Sequence, residues 1–126
     1  MHRALLEVHG VDVSGVRGVA AAGRTDGAIA RDLLRAVGVA EGRIDACVAA
    51  VAEATAAAYR QLCPADLSDR VAPGVVATLE WTAARSQRFV SSLVTGNFEP
   101  VARLKLERAG IGHHFAEGQG LSLIHI

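Results

Sequence analysis

The sequence predicts an α/β fold in which a mostly helical segment leads into a helix–strand–helix unit. Three observations predict it. Apolar residues recur at helical period through much of the first sixty positions. One short apolar run, 88–94, is partly β-branched and stops at Thr95-Gly96. That run lies between two further helical segments, so it reads as half of an α/β unit whose neighbouring strands are not in this sequence.

The elements follow in order. Residues 2–9 place Leu5 and Val8 on one side of a short helix that Gly10 can end. Residues 11–24, rich in Val and Gly, form a loop. Thr25 or Asp26 can cap a helix over 27–37, with Ile29, Leu33 and Val37 as its apolar face and Gly38 as its stop. The longest helix spans 43–62, where Ile44, Cys47, Val48, Val51, Thr55, Ala58, Tyr59 and Leu62 keep the period and Pro64 prevents extension. A linker covers 64–72. Pro73 suits the first position of a helix running to about Ala84, with Val75, Val76, Leu79 and Ala83 buried. The strand 88–94 and a helix over 98–109, ended by Gly110, complete the order.

Bulk properties exclude several classes. The length of 126 residues suits one ordinary domain, or a small domain and a fragment of another. Thirteen basic residues balance thirteen acidic ones, so no basic stripe argues for nucleic acid. No apolar run approaches membrane-spanning length, and Met1-His2-Arg3 leads into an amphipathic segment rather than a signal-peptide core. The expectation is a cytoplasmic protein with no membrane partner; the sequence assigns no oligomeric state. Cys47 and Cys63 have neither CxxC nor zinc spacing and read as small apolar residues in a reducing compartment.

The chemistry-bearing segment is Thr95-Gly96-Asn97. Ligands of open α/β sheets sit beyond the carboxyl ends of strands, where Thr95 stands. Gly96 permits close approach of a ligand, Asn97 can cap the next helix, and the helix N-terminus offers free N–H groups to phosphate. Pro100 falls in the first turn, where its missing N–H costs nothing. From spacing alone the segment is equally an ordinary β–α turn. His113-His114 reads as a solvent-facing turn, Lys105 as a solvated helix residue, and Trp81 and Tyr59 as packing residues.

Leu93-Val94-Thr95-Gly96-Asn97-Phe98-Glu99-Pro100-Val101-Ala102-Arg103-Leu104-Lys105-Leu106, with Ala109-Gly110-Ile111 and His114-Phe115 after it, resembles the second conserved motif region of haloacid dehalogenase-like (HAD) hydrolases. The nearest likeness is to the phosphoglycolate-phosphatase-like branch. Upstream, Ala22-Gly23-Arg24-Thr25-Asp26-Gly27 to Asp32 is similar to that branch's cap loop and helix, Arg3 to Gly10 to its first cap helix, and Pro73-Gly74-Val75 to its re-entry helix. The likeness runs from about residue 2 to about 119, in the family's order.

The resemblance implies a HAD-type Rossmann-like core, of which this chain carries a fragment, with a mostly α-helical cap. Residues 1–70 would be the cap, incomplete at its N-terminus, 71–120 the core fragment, and 121–126 a non-native tail. It implies an Asp nucleophile that forms an aspartyl-phosphate, a second Asp as acid and base, and Mg²⁺ with a Lys or Arg to neutralise the phosphoryl oxygens. Thr95, Gly96 and Asn97 would bind phosphate. Arg24, Thr25 and Asp26 would reach the substrate from the cap, Arg24 toward an anionic group.

The chain departs from the family pattern in what it lacks. The nucleophile motif Asp-x-Asp-Gly-Thr belongs before the first cap helix, and neither Asp12 nor Asp26 stands in such a motif, so no catalytic or metal-ligating residue is assigned. The later Lys or Arg and the metal-binding acidic pair belong after residue 120. Leu121-Ser122-Leu123-Ile124-His125-Ile126 breaks the pattern, and the expectation is a fragment cut at both ends and inactive alone. Thr-Gly-Asn favours a phosphatase over a dehalogenase, which would carry Ser-Asn, and a phosphonate hydrolase would need a cap Lys. The predicted substrate is a small phosphorylated metabolite such as phosphoglycolate. The alternative is a non-enzymatic helical interaction module.

Overall fold

The computed structural model describes residues 1–115 and 120–122. Its first helix, α1 (His2–His9), turns Ala4 and Leu5 fully inward. Gly10 then takes a left-handed conformation (φ 71°) that lets its N–H cap the carbonyl of Leu6, a geometry a side chain would strain. The loop that follows contributes Val13, which is completely buried. Helix α2 (Asp26–Ala36) begins where Thr25 Oγ1 accepts the N–H of Ala28 at 3.1 Å. It buries Ala30, Leu33 and Leu34. Ile29 and Val37, placed on its apolar face by the four-residue period, pack at the edge of the core.

The single helix expected over 43–62 is two. Helix α3 (Glu41–Ala46) ends at Cys47, whose backbone (φ −107°, ψ 5°) departs from helical geometry, and α4 (Val48–Leu62) begins after it. Neither Gly nor Pro marks the break. It lies between Ile44 and Val51, both of which point into the same core. Leu62, counted on the buried face, is 75% exposed because the helix outruns the core at that end.

Helix α4 packs against α1 on one side and α6 (Glu99–Arg108) on the other. Leu5, Leu34, Val51, Phe98 and Val101 therefore share one apolar cluster drawn from residues both before and after position 70. Short 3₁₀ turns occupy Ser68–Arg70 and Gly112–His114.

The α/β expectation is corrected. The described chain is a mostly helical domain without a Rossmann-like core. Its β-structure is one parallel ladder of two three-residue strands, β1 (Leu93–Thr95) and β2 (Gly120–Ser122). The run 88–94 becomes strand only where β2 meets it, because extended backbone persists when its N–H and C=O groups find a partner. Before that point the N–H groups of Arg88 and Phe89 both bond the carbonyl of Arg85, continuing the helical turn. Phe89 packs its ring on Trp81, centroids 5.2 Å apart. Of the tail 121–126, only 121 and 122 are described, in β2, and 123–126 lie outside the described residues.

Helix α5 (Val75–Ala83) also differs from expectation. Its N-cap is Gly74 in a left-handed conformation (φ 84°), so Pro73 precedes the cap rather than opening the helix. None of its residues is buried: Val75 and Leu79 are half-covered, and Val76 and Trp81 are 44% and 50% exposed. Among the described residues no helix is long and apolar enough to cross a membrane.

Candidate functional site

The turn between β1 and α6 is held from two directions. Within it, Thr95 Oγ1 accepts the N–H of Asn97 at 3.1 Å, which folds the chain back and leaves the hydroxyl proton free to donate elsewhere. From outside, the loop before α2 docks on it. The N–H of Asp26 bonds the carbonyl of Gly96 at 2.7 Å. One oxygen of Asp26, Oδ2, accepts the N–H of Phe98 at 2.9 Å and the Asn97 amide at 3.3 Å. Arg24–Asp26 and Thr95–Asn97, seventy residues apart in sequence, thus form one constellation.

Individual roles differ from those the residue types suggested. Thr25, not Asp26, caps α2. Asn97 caps nothing: Phe98 is the N-cap of α6 and has no side-chain cap of its own. The carboxylate of Asp26 takes the N–H beside that helix start, where a negative group is favoured by the helix dipole. Gly96 does allow close approach, and what approaches is the chain itself. A Cβ there would lie 3.4 Å from the Arg24 carbonyl oxygen and from Thr25 Cα. Arg24 faces away from the turn and pairs with Asp32 at 2.7 Å. Pro100 sits in the first turn of α6, as its chemistry favours.

Lys105 belongs to this constellation although its sequence context suggested a solvated residue. Its ammonium donates to Asn97 Oδ1 at 2.8 Å and lies 5.1 Å from the ring centroid of Tyr59. The spacing carried the signal: Lys105 follows Val101 by four and Phe98 by seven, on the face that packs inward. A chain Asp26–Asn97–Lys105 therefore runs from carboxylate to ammonium through one amide, whose orientation it determines. Beneath it, burial and the neighbouring Cys63 thiol push the Tyr59 phenol up to about 12, so it remains neutral.

Next to the docked turn, α2, α3, α4 and Phe98 line a half-open pocket of about 270 Å³. Thr25 and Phe98 border both the cavity and the turn. The arginine at its wall, Arg31, is engaged by Glu41 at 2.6 Å and by Asp45 at 2.5 Å.

Among the described residues no three of His, Cys, Asp and Glu converge as a metal site. Asp26, the carboxylate at the turn, has Oδ2 bonded to two N–H donors, and Asp32 is paired with Arg24. These residues do not by themselves fit a Mg²⁺ ion. The rings of His113 and His114 lie with centroids 4.0 Å apart in the 3₁₀ turn Gly112–His114, and His113 is exposed. Cys47 and Cys63 are free thiols.

The chain matches no family model, no curated protein and no solved structure.

Proposed function

We propose that this chain is the cap and phosphate-turn portion of a HAD-like hydrolase, a Mg²⁺-dependent phosphatase acting on a small phosphate monoester such as phosphoglycolate. The observation that supports this reading best is the docking of Arg24-Thr25-Asp26 on Thr95-Gly96-Asn97. These are the two segments to which the resemblance assigns substrate and phosphate contacts, and Asp26 brings them together at Gly96 and Phe98. In this reading the phosphoryl group accepts a hydrogen bond from the Thr95 hydroxyl and displaces Thr95 Oγ1 and the Asp26 carboxylate from the N–H groups of Asn97 and Phe98. The aspartyl nucleophile and the carboxylates that hold Mg²⁺ come from outside these residues.

The test is the intact coding region. An Asp-x-Asp-Gly-Thr motif at the end of an apolar strand, ahead of the segment that begins Met1-His2-Arg3, is expected; an intact gene without it overturns the reading. The chain alone is expected to show no Mg²⁺-dependent hydrolysis of an aryl phosphate, and clear turnover would show that the nucleophile has been assigned to the wrong segment.

A second reading, a non-enzymatic helical interaction module, is favoured by α5. It buries no residue, its Val76 and Trp81 are exposed, and Phe89 and Val90 lie exposed beyond its end. Contiguous exposed apolar surface of this kind marks contact sites. Loss of a self-associated or partner-bound state on Trp81→Ser, together with an absent nucleophile motif in the intact gene, would favour this module over the phosphatase.

A further inference from the structure

One wall of the pocket is fastened differently from the others. That wall is Ile44, the only buried residue of α3 (Glu41–Ala46). Ala30, Leu34, Val48 and Val51, the apolar walls around it, belong to α2 and α4. With six residues, α3 is too short to persist on backbone bonds alone, so it depends on what it touches. Its ties other than Ile44 are charged. Arg31 of α2 holds Glu41 at 2.6 Å and Asp45 at 2.5 Å, and Arg35 also bonds Glu41. Arg43 reaches the His9 carbonyl at a long 3.5 Å.

Both ends of α3 are places where the chain turns. Before it, Gly38 is in a left-handed conformation (φ 80°), and Ala40 opens the helix without a side-chain cap. After it, the backbone leaves helical geometry at Cys47, so α3 is not carried on the hydrogen-bond ladder of α4. Helix α4, by contrast, buries Val51, Ala54, Thr55, Ala56 and Ala58. Solvent-accessible ion pairs such as those of Arg31 and Arg35 each contribute little, and salt screens them. A segment with one buried side chain and screened polar ties opens at a smaller free-energy cost than the packed core.

We infer that α3 is a hinged lid over the pocket between α2 and α4. Arg31 and Arg35 latch it, and it swings about Gly38–Ala40 and Cys47 while the other helices stay folded. Opening withdraws Ile44 and bares Val51 to solutes, and rising salt favours the open state. The lid uses no residue of the turn Thr95–Asn97, so it stands or falls apart from the phosphatase reading.

Thiol accessibility in the 126-residue chain tests this, with Cys47→Ser and Cys63→Ser removing the native thiols. Val51→Cys puts a thiol on the pocket wall; Val101→Cys, in a separate variant, puts one in the core away from the pocket. An uncharged aromatic disulfide is the labelling reagent. From low salt to molar sodium chloride, labelling of Val51→Cys should rise about three- to tenfold, while that of Val101→Cys changes less than about twofold. Arg31→Gln should give the faster Val51→Cys labelling already at low salt and leave salt little further effect.

A Val51→Cys rate that ignores both salt and Arg31→Gln overturns the lid. So does an equal rise at Val101→Cys, because the whole domain would then be opening. If the cysteine variants do not fold, amide exchange of the unaltered chain decides: salt should speed the Ile44 N–H relative to those of Ala56 and Ala58. Exchange of all three in step overturns the inference.

Discussion

The carboxylate of Asp26 accepts the N–H of Phe98 at 2.9 Å across 72 positions of sequence. This bond, with the Asp26 N–H on the Gly96 carbonyl, fastens the start of α2 to the start of α6. It places a negative group at the N–H that a phosphoryl oxygen would also favour.

Asp26→Ala is therefore expected to destabilise the fold by about 1–2 kcal/mol, the range for a charge-assisted hydrogen bond that is partly screened by solvent. Urea unfolding measures it. Asp26→Asn removes the charge that competes with an anion, and should strengthen inorganic phosphate binding roughly threefold, the scale of a charge–dipole term. Weaker phosphate binding in Asp26→Asn would mean that the carboxylate helps to hold the turn open to the ligand.

Two glycines should respond differently to a methyl group. At Gly112 a Cβ would lie 3.1 Å from the backbone nitrogen of Glu107 and 3.3 Å from its Cα, and backbone cannot swing aside. Gly112→Ala is expected to cost about 1–3 kcal/mol, as overpacking does. At Gly96 the nearest atoms stand at 3.4 Å, ordinary contact distance, so Gly96→Ala should cost less than Gly112→Ala. Thermal unfolding of the two variants side by side checks the order.

Phe98 is 2% exposed and joins α6 to the cluster around Leu5 and Leu34. Phe98→Ala should destabilise by about 3–5 kcal/mol, as a large void in a packed core does. Leu62→Ala, at 75% exposure, should stay within about 0.5 kcal/mol. Equal losses for the two in urea unfolding would contradict this packing.

His9 is 6% exposed, and neither imidazole nitrogen has a hydrogen-bond partner. Burial first, and Arg43 second, lower its pKa below the ordinary 6.5. The unfolded chain therefore takes up the proton first as pH falls. Stability is full above about pH 6.5 and declines as pH drops from there toward the lower folded value. His9→Phe should flatten that part of the pH dependence of the urea midpoint. An unchanged slope would show that another group titrates there.

Much of the helical architecture was legible in local chemistry. Gly10 after α1, Thr25 before α2 and Gly110 after α6 are recognisable stops and caps, since each works through backbone groups a few residues away. The break at Cys47 was not legible, because no residue there disfavours helix. Ile44 and Val51, seven residues apart, would face one core in an unbroken helix as well, so the apolar period hides the break. The strand was over-read for a similar reason. Arg88 to Leu93 has strand composition, but its pairing depends on β2, nearly thirty residues on.

At the site, residue types pointed to both segments that meet, Arg24–Asp26 and Thr95–Asn97, because short polar residues and glycine gather at helix starts. Their division of labour was hidden. Arg24 is drawn to Asp32, Asp26 to Phe98, and Lys105 to Asn97 by distances that no spacing rule contains.

By itself, then, the sequence determined where most helices begin and end, through caps, glycines and periodicity that act within a turn of backbone. Only the tertiary structure decided that the domain is mostly helical, that α5 buries no residue, and that Asp26 closes on the turn at Gly96. Those outcomes depend on which distant groups satisfy one another's hydrogen bonds and bury one another's apolar surface, and a linear pattern does not carry that information.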